Sequence, residues 1–296
     1  MKHRSGFAAI IGRPNVGKST LMNSLIGEKI SIISDKPQTT RNRIQCVLTR
    51  PDYQVIFIDT PGLHKPRNKL GEYMVRVARN TLEEVDVIIF IVDIYEGIGR
   101  GDWYIAEELK QIKTPVILVV NKIDRITNIE EAGKTAEEFY KQAEFDELIM
   151  VSAINHTNLD KLEEIIVSYL PDGPRYYPED MITDQPVRFI VAEIIREKTL
   201  ELLKEEVPHG IGVEVVSFSE RQDKNIIDVS ATIYCEKKSH KGIIIGKGGN
   251  MLREIGSRAR ADIEKLLGTQ IYLDLWVKIR QDWRDNMMDL KNLGYE

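Results

Sequence analysis

The chain is predicted to fold as an α/β domain with a mostly parallel sheet, followed by a smaller α+β domain. Three observations predict this. Up to about Leu170, short apolar runs alternate with amphipathic stretches; from Leu170 to Pro186 the alternation is broken by Pro171, Gly173, Pro174, Pro178 and Pro186; beyond them the element order changes. Strand–helix alternation implies parallel strands joined by helical crossovers that cover both faces of the sheet. Prolines at this density stop helices and leave the chain extended. The expected organisation is a first domain over 1–172, a proline-rich linker over 173–185 and a second domain over 186–296.

In the first domain the candidate strands are Phe7–Ile11, Gln45–Thr49, Gln54–Asp59, Val87–Asp93, Val116–Asn121 and Leu148–Ser152. The runs Val87–Val92 and Pro115–Val120 are continuously apolar, as strands buried on both faces are. Helices are expected to begin near Lys18, Leu70, Asp102, Ile129 and Leu159. In the second domain a helix over 187–206 precedes strands near 212–219 and 226–236, a short helix, a glycine-rich turn, a longer helix and a last strand over 270–279.

A chain of 296 residues can bury two cores. Its 42% apolar and 29% charged residues are an ordinary globular balance. No stretch approaches the roughly 20 apolar residues of a membrane span. Residues 1–11 run straight into the first strand without a cleavage site, so no signal peptide is expected. Cys46 and Cys235 lack metal-ligand spacing; both are expected to be reduced thiols of a cytoplasmic protein, without zinc. The net charge of −5 does not point to nucleic acid, but Lys237, Lys238, Lys241, Lys247, Arg253, Arg258 and Arg260 stand against Glu254 alone. By charge alone this cluster suits a solvated helix face as well as a phosphate-binding surface.

Gly12-Arg13-Pro14-Asn15-Val16-Gly17-Lys18-Ser19 matches the phosphate-loop pattern, between an apolar strand and a helix that continues through Thr20. Its glycines let backbone N–H groups wrap phosphates, and the helix N-terminus favours anions. Lys18 is expected on the β- and γ-phosphates and Ser19 on Mg²⁺. Asn121-Lys122-Ile123-Asp124 ends an apolar strand, where open α/β sheets bind ligands. The Asp124 carboxylate suits the paired ring N–H and exocyclic amine of guanine, whereas adenine presents an unmatched edge. An unmatched buried polar group costs about 1–3 kcal/mol, which is strong discrimination. Asn121 is expected to tie this loop to the phosphate loop, and Lys122 to lie along the base. Ser152, Ala153 and Ile154 are expected to complete the base pocket, through the Ala153 N–H. Asp59-Thr60-Pro61-Gly62 follows a strand and offers Asp59 to Mg²⁺, with the Gly62 N–H facing the γ-phosphate. The polar segment Pro37-Gln38-Thr39-Thr40-Arg41 suits a loop that closes over Mg²⁺ with GTP bound, through Thr40 or its competitor Thr39.

With these motifs in order, the chain resembles the translation-factor-like GTPases and, among them, the Era family of bacterial ribosome-assembly GTPases. The resemblance spans both domains. It implies a P-loop GTPase domain with slow intrinsic turnover, in which Lys18, Thr40, Gly62 and Asn15 serve hydrolysis. Leu63 stands where Ras-like proteins carry a water-orienting glutamine, so catalysis rests on positioning and electrostatics. His64 is either a water-orienting group or a surface histidine. Asn15 either helps hold K⁺ or braces the loop. Leu63 also keeps open an RNA-binding chaperone that uses GTP as a structural ligand.

Gly246-Lys247-Gly248-Gly249 fits the G-x-x-G turn, preceded by a short apolar segment and followed by Met251, Leu252, Ile255, Ala259, Ile263 and Leu266 at helical spacing. The element order resembles a type II KH domain. Read so, the glycines and Lys247 meet RNA phosphates, flanked by Lys241, Arg253 and Arg258; read otherwise, the glycines serve tight packing. The resemblance implies as ligand the 3′ end of small-subunit ribosomal RNA within the small ribosomal subunit. It also implies a cytoplasmic location with peripheral association with the cell membrane. A monomer is expected.

Overall fold

The computed structural model describes residues 3–32, 40–62, 68–203, 207–221 and 225–295. The chain divides into two compact units, the first comprising most of 1–184 and the second Gln185–Glu296 together with two short segments from before it.

In the first unit, β1 (Arg4–Ile11), β2 (Ile44–Thr49), β3 (Tyr53–Asp59), β4 (Val87–Asp93), β5 (Val116–Asn121) and β6 (Glu147–Met150) form one sheet in the order β2-β3-β1-β4-β5-β6. Only β2 is antiparallel to its neighbour. Helices α1 (Lys18–Ile26), α2 (Lys69–Leu82), α3 (Arg100–Leu109) and α4 (Ile129–Ala143) lie between successive strands, and α5 (Leu159–Tyr169) follows β6. Ala9, Ile11, Phe90, Val92, Leu118 and Val120 meet α2, α3 and α4 in one core, with Trp103, Phe139 and Phe145 packed edge to face. Ala8 and Ile10 turn to the other face, where α1 and α5 lie against β1.

β1 begins earlier than the apolar run suggests, because Arg4 and Ser5 stay in register with Tyr53 and Gln54. The expected linker also differs. Its residues 173–184 belong to the first unit and bind its edge. Buried Gln54 accepts from the Tyr176 and Tyr177 amides at 2.8 and 3.0 Å and donates to the Tyr177 carbonyl at 2.9 Å. The Val47 amide donates to Ile182 O at 2.8 Å, and Thr183 Oγ1 to Gln45 O at 2.6 Å. The extended shape that prolines impose suits pairing with a strand edge as well as bridging between domains.

In the second unit, α6 (Val187–Leu202) precedes β7 (Gly212–Glu220), β8 (Ile226–Cys235), α7 (Lys238–Ile245), α8 (Asn250–Leu267) and β9 (Gln270–Ile279). The strands lie in the order β7-β8-β9, with β8 and β9 parallel. Ile190, Val191, Ile194 and Ile195 of α6 and Ile255, Ala259 and Ile263 of α8 bury one face of this sheet. After β9 comes an unforeseen element, α9 (Met287–Asn292). It accompanies Trp283, fully buried with Nε1 donating to Gly210 O at 3.0 Å and its ring stacked on Tyr295.

Candidate functional site

The order of strands reverses around β1, which places a crevice at the carboxyl ends of β1, β3, β4 and β5. The phosphate-loop residues fill it. Gly12 has φ +152°, and a Cβ there would meet Ile91 O at 2.4 Å; Gly17 has φ +102°, and its Cβ would meet Asn121 Nδ2 at 2.4 Å. Only glycine fits both, so the loop passes closer to the sheet than any side chain permits. Lys18 follows at the head of α1, buried, with Nζ donating to Gly12 O at 3.1 Å and Arg13 O at 2.7 Å. Burial lowers its pKa to about 8 against the opposing pull of Asp59.

Asp59 ends β3 at full burial, which raises its pKa against the pull of Lys18, Ser31, Ser19 and Thr40. Its Oδ2 accepts from Ser19 Oγ at 2.8 Å, Ser31 Oγ at 2.8 Å and Thr40 Oγ1 at 3.4 Å. Ser19 and Thr40 are 3.0 Å apart. Oδ1 is buried with no hydrogen bond from the described residues. A buried carboxylate oxygen beside two hydroxyls is an all-oxygen donor set suited to a small hard cation. Thr60 Oγ1 anchors to Ile10 O at 2.9 Å, and Pro61 and Gly62 are buried, Gly62 lying against Pro14.

Asn121 is the brace that the sequence predicts: Nδ2 donates to Val16 O at 2.9 Å. Its Oδ1 accepts the Ala153 N–H at 3.0 Å, so the amide expected to meet the base serves this brace instead. Lys122 has φ +66°, and its Nζ lies 2.8 Å from Asn15 O and 2.5 Å from Asp93 Oδ2. Asp124 is exposed on the following turn and accepts from Ser152 Oγ. Ile154 is exposed. Asn15 takes φ +68° with its side chain exposed. Arg13 turns its guanidinium to buried Asp102 at 2.8 Å and Gly97 O at 3.2 Å, which leaves its backbone to the loop. Thr20 is half-buried on α1. Thr39, Leu63 and His64 lie outside the described residues.

Sequence reasoning passes over Asp93, Asp102 and Ser31. Asp93 carries a usable signal, a carboxylate ending a parallel strand and in register with Asn121. Ser31 carries none.

In the second unit, Gly246 has φ +73°, and a Cβ there would meet Met251 Cβ at 2.7 Å. Gly248 and Gly249 have φ +62° and +79° with open space where a Cβ would stand. The turn is therefore tightly packed at its first glycine and bare at its last two. Lys247 is exposed and Lys241 half-buried. Arg253 bonds Asn250 at 2.9 Å, and Arg258 and Arg260 pair with Glu254 and Glu264 at 2.7 and 2.9 Å, so part of the basic cluster is neutralised along its own helix.

Residues 7–122 match the family described as "50S ribosome-binding GTPase", and residues 206–284 match the KH domain family. The chain is 58% identical over 296 residues to GTPase Era of Alkaliphilus metalliredigens, covering all of both chains. It is 58% identical over 295 residues to GTPase Era of Thermoanaerobacter sp. strain X514, covering all of this chain and 97% of that one. A crystal structure of Era in complex with MgGDPNP and nucleotides 1506–1542 of 16S ribosomal RNA superposes with a TM-score of 0.96 at 43% identity, over 99% of both chains. A variant of Aquifex aeolicus Era bound to GDP and AlF₄⁻ gives 0.95 at 43% identity, again over 99% of both chains. The chain therefore belongs to the Era GTPase family, with a P-loop GTPase domain followed by a KH domain.

Proposed function

We propose that the protein binds and hydrolyses GTP and uses the nucleotide state to control how its KH domain holds the 3′ end of small-subunit ribosomal RNA during assembly of the small subunit. One observation carries the reading: the phosphate loop, the Ser19–Thr40–Asp59 oxygen cluster and the Asp124 loop share a chain with a G-x-x-G turn whose last two glycines lie open. The family matched by residues 7–122 is described by the 50S subunit but spans the first unit alone. The full-length relative holds 16S RNA, and we follow the latter.

In this reading the backbone from Gly12 to Thr20 and the Lys18 ammonium hold the phosphates. Ser19, Thr40 and Asp59 hold Mg²⁺, which would neutralise charge on the phosphoryl group. Thr40 and Gly62 close on the γ-phosphate, Asp124 reads guanine, and Lys122, fixed by Asp93, lies along the base. Asn15 holds K⁺ beside the phosphates; phosphate release in K⁺ but not Na⁺, lost in Asn15→Ala, tests this. Gly246 to Gly249 and Lys247 receive the RNA backbone, with Lys241, Arg253 and Arg258 as the electrostatic flank. A monomer working in the cytoplasm, with peripheral membrane contact, completes the reading. Among the described residues no helix is long and apolar enough to cross a membrane.

The test is binding of a short RNA from the 3′ end of small-subunit ribosomal RNA, with a GTP analogue and with GDP, to the parent and to Gly248→Asp. Tighter binding in the GTP form, lost in the variant, is expected. Equal affinity in both states would refute the coupling and leave an RNA chaperone that uses GTP as a structural ligand.

A further inference from the structure

We propose that Ser31 is a positioning residue for the Asp59 carboxylate and so sets how tightly the nucleotide site holds Mg²⁺. The inference rests on the reading of Asp59 as part of that ion's site.

Ser31 and Asp59 are both fully buried, and the serine hydroxyl donates to Asp59 Oδ2 at 2.8 Å. The serine is itself held through its backbone. Asn23 Oδ1 accepts the Ile30 and Ser31 amides at 3.1 and 3.0 Å, and Asn23 Nδ2 donates to Ser31 O at 2.7 Å. Asn23 lies on α1, the helix that carries Ser19, so the hydroxyl is fixed in the frame of the phosphate loop.

A carboxylate turns easily about its Cβ–Cγ bond unless hydrogen bonds distinguish its two oxygens. Here all three hydroxyl donors choose Oδ2, and Oδ1 is left buried with no bond from the described residues. Ser19 and Thr40 belong to the proposed ligand set. Ser31 does not, and its hydroxyl holds the carboxylate turned so that Oδ2 stays beside the Ser19 and Thr40 hydroxyls, where the ion or a water bound to it would be held. Hydrogen bonds that orient a metal ligand typically change metal affinity about 10- to 100-fold when removed.

The experiment follows release of a fluorescent GDP analogue from the full-length protein across a Mg²⁺ titration and in EDTA, for the parent, Ser31→Ala and Asp59→Ala. The Asn23 clasp uses only Ser31 backbone atoms, so the alanine variant retains it, and thermal unfolding in EDTA verifies the fold. Ser31→Ala is expected to raise the Mg²⁺ concentration for half-maximal slowing of release about tenfold or more, while release in EDTA stays within about twofold of the parent. A titration that superposes on the parent's overturns the inference, as does faster release by the same factor with and without Mg²⁺. Asp59→Ala separates the two levels. If it abolishes Mg²⁺ dependence while Ser31→Ala behaves as the parent, only the role of Ser31 fails. If Asp59→Ala also leaves Mg²⁺ dependence intact, the ion site itself is misassigned.

Discussion

Replacing Asn121 by alanine distinguishes a brace from a base contact. Its side chain is 3% exposed, and its two polar ends are engaged by Val16 O at 2.9 Å and the Ala153 N–H at 3.0 Å. Val16 and Ala153 are each 1% exposed, so truncation strands a buried acceptor and a buried donor. Each stranded group costs about 1–3 kcal/mol, giving roughly 2–6 kcal/mol for the pair. Taking about 3 kcal/mol, and about 2–4 °C per kcal/mol for a unit of this size, the first unit should melt about 6–12 °C lower. The assay pairs thermal unfolding of the nucleotide-free protein with affinities for GDP and IDP, which lacks the exocyclic amine that Asp124 is proposed to read. Asn121→Ala should weaken both nucleotides by the same factor, because the residue acts through the loops. Asp124→Ala should instead bring the GDP and IDP affinities together. An unchanged melting temperature with a selective loss of GDP would refute the brace.

Three further outcomes are expected. Burial holds the Lys18 pKa at about 8, below its ordinary value of 10.5, and phosphate contact should raise it; GDP binding near pH 9 should therefore take up close to one proton and weaken as pH rises above 8. Calorimetry in buffers of different ionisation enthalpy measures the uptake. Lys18→Arg should flatten the profile, whereas parallel profiles would exclude Lys18 as its source. In the KH turn, Gly246→Ala drives a Cβ to 2.7 Å from Met251 and should lower the unfolding temperature of the second unit clearly. Gly248→Ala enters open space and should cost only about 1 kcal/mol of backbone strain, measured by denaturant unfolding. Asp102→Ala removes the bond from the Gly99 amide at the start of α3 and the partner of half-buried Arg13; it should cost about 1–2 kcal/mol and speed GDP release.

The parts of this protein most legible in its sequence are those whose physics is local. β4 and β5 can be read to the residue because strands buried on both faces are written as unbroken apolar runs that end at Asp93 and Asn121. The phosphate loop is legible because its glycines are required by close approach. Long-range bonds are not legible. Nothing near Ser31 announces that its hydroxyl meets a carboxylate 28 positions away, and nothing in Arg13 announces that it turns to Asp102, 89 positions away. Trp283 and α9 escape for another reason: a six-residue helix is too short for its periodicity to register, and its burial comes from Gly210 and Tyr295.

The docking of residues 173–184 on the first sheet has a consequence for anyone cutting the chain. β2 is the outermost strand on its side of the sheet, and the bonds from Val47 to Ile182 and from Thr183 to Gln45 occupy its outward row. A fragment stopped at residue 172 would bare that row, strip Gln54 of its three backbone partners and unroof the buried Cys46. An uncovered strand edge is a template for another chain, so such a fragment should self-associate in solution, and one carried past Thr183 should remain dispersed.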